Sequence, residues 1–384
     1  MLLFLFLLLT AGTIFVDSAS SGGEVPFPGA LTRNHMVRIA VGLAALLLFL
    51  TIDYRRLDSL APPLYLGGIG MLLYLLAVKL ARGGVARWLV LPGFQLQPSE
   101  VVKLFTVLLV ARMLKPVARP RGKWKPVAPY LVVALPCVLV ASQPDLGTAL
   151  VLPPTLVAML WVGGVSGRRL LLPIGVALLL MPLGWLFLQD YQKERLLVFV
   201  QPDTQELAQG AGYQVKQSIT AIGSGGWTGK GLYLGSQNYL EYLPEDHNDF
   251  IFGVIGEEWG LLGTMTVVLL YLCLYLSCLG VAYRTREPFG RLVVAGITAQ
   301  LAFQTIVNLA MTIGLAPVTG LPLPFISFGG SSLLTSLASV GIVLGIGMRP
   351  VRMLNPDGLR AGSHGRDRQT PRQAASPKRY QAHR

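Results

Sequence analysis

Residues 249–283 read DFIFGVIGEEWGLLGTMTVVLLYLCLYLSCLGVAY. A helix needs roughly 20 apolar residues to cross a hydrocarbon core of about 30 Å, so this run is too long for one straight span. Inside it, Gly256-Glu257-Glu258-Trp259-Gly260 places two acids between two glycines and offers a natural break. The stretch therefore predicts a short helix carrying Asp249, dipping into or lying at the outer membrane surface, followed by a spanning helix. Glu257 and Glu258 read as structural, paired with backbone or cations.

The rest of the chain has the same apolar character. Of its 384 residues, 53% are hydrophobic and only 13% charged, too apolar a balance for a soluble domain of this length. Further apolar stretches at 1–17, 36–52, 62–80, 99–114, 127–142, 146–164, 168–188, 290–314 and 329–348 bring the expectation to about ten spans. The fold class is an all-α polytopic membrane protein. Residues 1–17 lack a basic leader, and although Ser18-Ala19-Ser20 is similar to a cleavage site, the many later spans favour a first transmembrane helix. Cys137, Cys273 and Cys278 lie in apolar runs, without the spacing of a disulfide framework or a zinc site.

Charge sets the orientation. The 32 Lys and Arg exceed the 19 Asp and Glu, and the positive-inside bias assigns cation-rich loops to the cytoplasm. Arg55 and Arg56 in a loop at 53–61, the cluster from Arg112 to Lys125, Arg168 and Arg169, Arg284, Arg286 and Arg291, and the C-terminal tail together hold about 22 of those 32 cations, which places both termini inside. The polar segment 189–248 then falls on the exoplasmic face as a large loop. Residues 1–350 read as the membrane domain, and 351–384 as a basic, disordered cytoplasmic tail whose charge suits anionic lipid. No Walker-type or dinucleotide-binding glycine motif follows a strand pattern, which argues against a soluble nucleotide fold.

Ionisable residues in or beside spans mark cavities, partners or function. Glu100 and Lys103 follow Gln97-Pro98-Ser99, a helix-opening signature, and share a face at i,i+3. They read either as a structural ion pair or as a cation lending positive potential to a cavity, oriented by its acid. Asp145, in Gln143-Pro144-Asp145-Leu146-Gly147-Thr148, reads as a helix N-cap with any site role additional. Asp249 beside Phe250 and Ile251 reads as an N-cap or as a carboxylate raised in pKa by desolvation, fit for general base work. Tyr213-Gln214-Val215-Lys216-Gln217-Ser218, with Ile222 to Gly226 and Gly229-Lys230-Gly231, reads as an ordinary exposed loop or one that cradles phosphate or sugar. The uncharged stretch from Gly320 to Ser332 reads as a broken, partly re-entrant segment, tolerable only where protein or a wet cavity satisfies its backbone.

Taken in order, these motifs resemble the SEDS proteins (shape, elongation, division and sporulation), polytopic enzymes that polymerise peptidoglycan strands from lipid II. The likeness runs from Arg87-Trp88 and Gln97-Pro98-Ser99-Glu100 through Gln143 to Thr148, Tyr213 to Gly231, Leu243 to Glu258, Asn308 and Pro322 to Ser332. Gly223-Ser224-Gly225-Gly226, Gly229-Lys230-Gly231 and Leu234-Gly235-Ser236-Gln237 are more similar to the elongation branch than to the division branch. Asn248 stands where the family often has Thr, and Phe328 where Tyr is common.

The resemblance implies a bacterial cytoplasmic-membrane glycosyltransferase with an exoplasmic site, Asp249 as its essential carboxylate, and Glu100 and Lys103 in the working cavity. It also implies a class B penicillin-binding protein as partner, alongside lipid II and the growing strand. Transfer from a lipid pyrophosphate needs a base for the acceptor hydroxyl and positive charge for the leaving group, for which Arg195, Lys216 and Lys103 are the candidates, with Gln217 and Asp145 as further binding residues. Magnesium or manganese can share that task, though the sequence shows no dedicated metal cage. A carrier that flips lipid II and a non-catalytic scaffold are the competing readings. Against the carrier, the polar residues gather on one face rather than near the midplane.

Overall fold

In the computed structural model the described residues are 1–21, 27–82, 87–91, 94–115, 127–171, 175, 185, 189–200, 211–235 and 248–349. They form helices α1 (Leu2–Ser21), α2 (Ala30–Thr51), α3 (Tyr54–Arg82), α4 (Pro98–Leu114), α5 (Ala128–Ser142), α6 (Leu146–Val162), α7 (Asp190–Val200), α8 (Ala211–Gly225), α9 (Ile251–Arg284), α10 (Pro288–Thr312) and α11 (Gly330–Met348). One antiparallel hairpin, β1 (Leu89–Leu91) and β2 (Phe94–Leu96), sets Leu89 opposite Leu96. By packing, Met1–Pro350 is one compact unit, and residues 351–384 lie outside the described residues.

Every expected span except 168–188, most of which lies outside the described residues, coincides with a helix. Among the described residues six helices, α1, α2, α3, α9, α10 and α11, are long and apolar enough to cross a membrane, and α5 and α6 are shorter apolar helices. The chain is a multi-pass, all-α membrane protein. Most of its core is one buried cluster, which takes in Leu8 and Phe15 of α1, Leu108 of α4, Leu160 of α6, Ile255 of α9, Leu292 of α10 and Leu337 of α11, and a smaller one gathers Leu72 of α3, Val102 of α4 and Val140 of α5.

Prolines inside helices explain one correction. The segment 53–61, expected as a loop, is helical from Tyr54 onward, and only Ile52 and Asp53 separate α2 from α3. A proline removes the bond to the carbonyl four residues back, and in a membrane that carbonyl needs another donor. Pro62 orphans the Asp58 carbonyl, and Arg112 of α4 donates to it. The same device recurs. Pro136 orphans the Val132 carbonyl, which accepts from the Tyr65 hydroxyl at 2.9 Å, and Pro153 orphans that of Ala149, which accepts from the Cys137 thiol at 3.5 Å.

The predicted break in α9 falls at Gly260, whose φ of 63° and ψ of −159° interrupt the helix. A break leaves unpaired carbonyls before it and unpaired amides after it, and the turn 226–231 takes up both. Lys230 and Gly231 donate to the Glu257 and Glu258 carbonyls at 3.0 and 2.9 Å, while Leu261 and Leu262 donate to the Gly226 and Trp227 carbonyls at 2.9 and 3.1 Å. Such closeness needs glycine: a methyl group on Gly229 would lie 2.0 Å from the Glu258 carbonyl oxygen. Glu257 pairs with Lys230, and Glu258 accepts from Ser18 of α1. The Gly-rich run expected as a possible phosphate cradle is thus occupied with α9, and the expected loop from Tyr213 is the helix α8. The wider 189–248 segment also carries α7.

Candidate active site

The segment 313–329 between α10 and α11 is irregular and largely buried, with Leu321, Leu323, Phe325 and Ile326 at 1% exposure or less. Buried, unladdered backbone requires side-chain donors, and the surrounding helices provide them. Asn308 Nδ2 donates to the Leu321 carbonyl at 2.7 Å, Gln304 Nε2 to that of Pro322 at 2.9 Å, Tyr271 to that of Pro324, and Arg38 Nη1 to that of Phe328 at 2.6 Å. The expected broken segment is therefore pinned from α10, α9 and α2. Asn308 Nδ2 also holds the Asp249 carbonyl at 2.9 Å, so one amide fixes both this segment and the approach to α9.

A cavity of about 390 Å³ opens where these connections meet, lined by Arg87, Gln97, Asp145, Gln192, Arg195, Asp249 and Gly320 among others. Asp249 lies in the turn before α9, not on the helix. Phe250 is the N-cap position and makes no side-chain cap, and Asp249 stands one residue ahead of it. The arm behind it, Ile251 to Glu258, is buried in protein rather than resting on a membrane surface. Arg195 comes from α7, one helical turn beyond Gln192, and its Nη1 lies 3.5 Å from the Val318 carbonyl. Arg195 and Asp249 converge on Gly320: a methyl group there would lie 3.5 Å from Arg195 Nη1 and 3.6 Å from Asp249 Oδ2. Gly320 itself has φ of 70°, a conformation that suits glycine.

Asp145 does act as N-cap of α6, accepting from the Thr148 amide at 3.3 Å, while its other oxygen accepts from Gln97 Nε2 at 2.7 Å and Ser99 Oγ at 2.9 Å. Arg87 Nε donates to the Gln143 carbonyl at 3.1 Å and Nη2 to that of Pro144, fixing the same turn. Glu100 and Lys103 lie one turn further along α4 than Gln97 and do not line the cavity. They are 3% and 1% exposed, paired at 2.8 Å; Lys103 Nζ also donates to Gln304 Oε1 at 3.1 Å, and Thr335 Oγ1 to Glu100 Oε2 at 3.2 Å. The pair thus joins α4, α10 and α11 beneath the cavity. Lys216 and Gln217 are on α8, Lys216 exposed, and neither belongs to the lining.

Arg87, Gln192, Gln304 and the pinning by Asn308 escaped the sequence reading of the site. Gln300, Gln304 and Asn308 recur every fourth residue through apolar α10, a polar stripe that points at a partnered interior face. As for a divalent ion, among the described residues no three His, Cys, Asp or Glu side chains cluster as ligands, and both Asp145 oxygens are already hydrogen bonded. The donor set does not build a metal cage.

Fold and cavity together define a polytopic membrane protein with a polar site at the end of its helices where α4, α6 and α9 begin and α10 ends. The chain belongs to the SEDS family, which groups FtsW, RodA and SpoVE: the family model described as "Cell cycle protein" matches residues 1–350. It is 39% identical over 352 residues to the peptidoglycan glycosyltransferase MrdB of Escherichia coli K12, covering 90% of this chain and 92% of that one. With a probable peptidoglycan glycosyltransferase FtsW of Geobacter metallireducens it shares 37% over 315 residues, covering 80% and 82%. Among solved structures, a chain from a study of polymerization and crosslinking by a peptidoglycan synthase complex aligns with TM-score 0.75 at 32% identity, covering 90% of this chain and 96% of that one. Rod shape determining protein RodA of Thermus thermophilus aligns with TM-score 0.67 at 29% identity, covering 92% and 97%.

Proposed function

We infer that this chain is a peptidoglycan glycosyltransferase that polymerises lipid II into glycan strands for cell shape. The observation that carries the reading is the convergence of Asp249 and Arg195 on Gly320 in an open polar cavity, in a family whose relatives bear that enzyme name.

The Asp249 carboxylate takes the proton of the acceptor GlcNAc 4-hydroxyl as that oxygen attacks C1 of the donor MurNAc. The bond from C1 to the pyrophosphate oxygen breaks, and polyprenyl pyrophosphate leaves with the electron pair. Attack opposite the leaving group turns an α link into a β-1,4 link. One carboxylate suffices, because pyrophosphate departs without the acid partner that glycoside hydrolysis needs. Arg195 meets the charge developing on the leaving oxygens, as a guanidinium can by two parallel hydrogen bonds. Arg87 and Asp145 shape the wall by fixing the 143–145 turn. Lys103 and Glu100 support that wall from below, while the exposed Lys216 and the half-buried Gln217 stand on α8 outside the lining and take no part in the step.

Apart from Leu146 and Leu150 of α6, the cavity draws on the 87–97, 143–145, 189–249 and 313–329 segments, while the cation-rich loops belong to the opposite set. Positive-inside bias therefore supports an exoplasmic site with both termini in the cytoplasm. An open site at one end also favours an enzyme over a carrier, whose site belongs near the midplane. A class B penicillin-binding protein is the partner this reading calls for, since a new strand must be crosslinked.

The test is polymerisation of labelled lipid II by purified protein, alone and with that partner. Strand growth is expected, and 4-O-blocked lipid II is expected only as the first unit, because the growing strand is the donor and incoming lipid II the acceptor. Extension by blocked molecules acting as acceptors would overturn the direction of growth, and no polymer under conditions validated with another polymerase would overturn the activity.

A further inference from the structure

A second cavity, of about 820 Å³, adjoins the first and shares Trp88 and Asn248 with it. Its walls are Arg38 of α2, Gln95 of β2, Phe328, and Gly330 with Ser331 at the start of α11. Arg38 is a cation within an apolar helix, where charges are rare and mark function. Its guanidinium carbon sits 3.9 Å from the Phe328 ring centroid, and Nη1 is held by the Phe328 carbonyl. Among the described residues no carboxylate pairs with it.

A second positive feature meets Arg38 there. The N-cap of the 19-residue helix α11 is Gly329, which offers no side-chain cap, so the first amides face outward at the positive end of the helix dipole. A methyl group on Gly330 would lie 3.3 Å from Arg38 Nε, which puts the guanidinium beside those amides. Val37 and Val41, one helical turn apart on α2, are 62% and 47% exposed and carry the cavity outward along an apolar face. Positive charge inside and an apolar track outside fit a phosphate group on a lipid anchor.

We propose that this cavity is the acceptor subsite, in which Arg38 and the α11 N-terminus hold the pyrophosphate of incoming lipid II while its saccharide passes Trp88 and Asn248 to reach Asp249. The proposal rests on the polymerase reading above. It gives the two arginines different tasks: Arg195 serves the leaving group, and Arg38 anchors the substrate that is not cleaved. Asn248 and Phe328 both line this subsite.

The test uses the full chain in nanodiscs of zwitterionic phosphatidylcholine, counting bound undecaprenyl pyrophosphate by native mass spectrometry and measuring polymerisation kinetics on lipid II. Wild type is expected to bind two equivalents and Arg38→Ala one, with KM for lipid II raised roughly tenfold and kcat within about twofold. Because Arg38 also pins the Phe328 carbonyl, Val41→Trp serves as a second variant: it narrows the mouth from an exposed position and is likewise expected to bind one equivalent. Asp249→Asn is expected to bind two, so a failure of the catalytic reading would show in turnover without touching the count. Two equivalents bound by Arg38→Ala and Val41→Trp at wild-type affinity would overturn the subsite. Displacement of the second equivalent by equimolar phosphatidylglycerol would also overturn it, assigning the cavity to any phospholipid headgroup.

Discussion

Two places in this molecule bring a carboxylate and a cation together in opposite surroundings, one as a buried ion pair and one as two side chains that approach the same glycine. Glu100 and Lys103 are closed off, at 3% and 1% exposure, and accept or donate further bonds to Thr335 and Gln304. Asp249 and Arg195 face a cavity across Gly320 and are only partly buried. A buried pair with its remaining bonds satisfied has nothing left to offer a substrate, and removing one member strands the other. Side chains that face an open cavity on pinned backbone can meet charge where a reaction needs it. On the proposed reading, the closed pair holds helices together so that Asp249 and Arg195 can work.

The comparison breaks most visibly at Asp249. Asp249→Asn is expected to lower polymerisation by about 10²-fold or more while its melting temperature stays with wild type, which parallel assays of strand synthesis and thermal unfolding would read. Loss of both fold and activity would place Asp249 with the closed pair instead. Arg195→Ala is expected to reduce kcat by about 10 to 10²-fold, with partial recovery in Arg195→Lys, which keeps the charge but loses the planar fork. Unchanged kcat in Arg195→Ala would remove it from leaving-group stabilisation.

The closed pair is expected to respond in stability. Lys103→Ala should cost about 3 to 5 kcal/mol by leaving Glu100 buried and unpaired, whereas the double change Glu100→Leu with Lys103→Met should recover most of that loss. Chemical denaturation in detergent would compare them, and equal instability of single and double variants would contradict the pairing argument. Tyr65→Phe, which strands the Val132 carbonyl orphaned by Pro136, is expected to cost about 1 to 3 kcal/mol without altering turnover per folded molecule. The smallest effect is expected at Lys216: exposed on α8 and outside the cavity lining, Lys216→Ala should change polymerisation by less than about twofold, the usual scale for surface changes. A tenfold loss would return Lys216 to the machinery.

Much of this contrast can be read in the sequence, and the reasons for the rest are physical. Apolar length marks the spans, and two acids between two glycines mark the interruption of α9, because both signals are local. Asp145 is legible as a cap for the same reason. The helical continuation through Pro62 and Pro63 is not, because it depends on Arg112 arriving from another helix to satisfy Asp58. The glycines from 225 to 231 suggest a ligand cradle until Gly256 to Gly260 is seen packed against them. Separating the closed pair from Asp249 and Arg195 requires knowing what surrounds each. Gln304 and Asn308 carried that information as a stripe on α10, but what they reach is a backbone segment more than ten residues away in the chain.

The most direct measurement sets Asp249→Asn against Lys103→Met in one preparation, reading polymer formed per folded molecule together with the melting curve. A stable Asp249→Asn protein that makes little or no strand is expected beside a destabilised Lys103→Met protein whose folded fraction polymerises at close to the wild-type rate. A stable, inactive Lys103→Met beside an active Asp249→Asn would contradict that expectation.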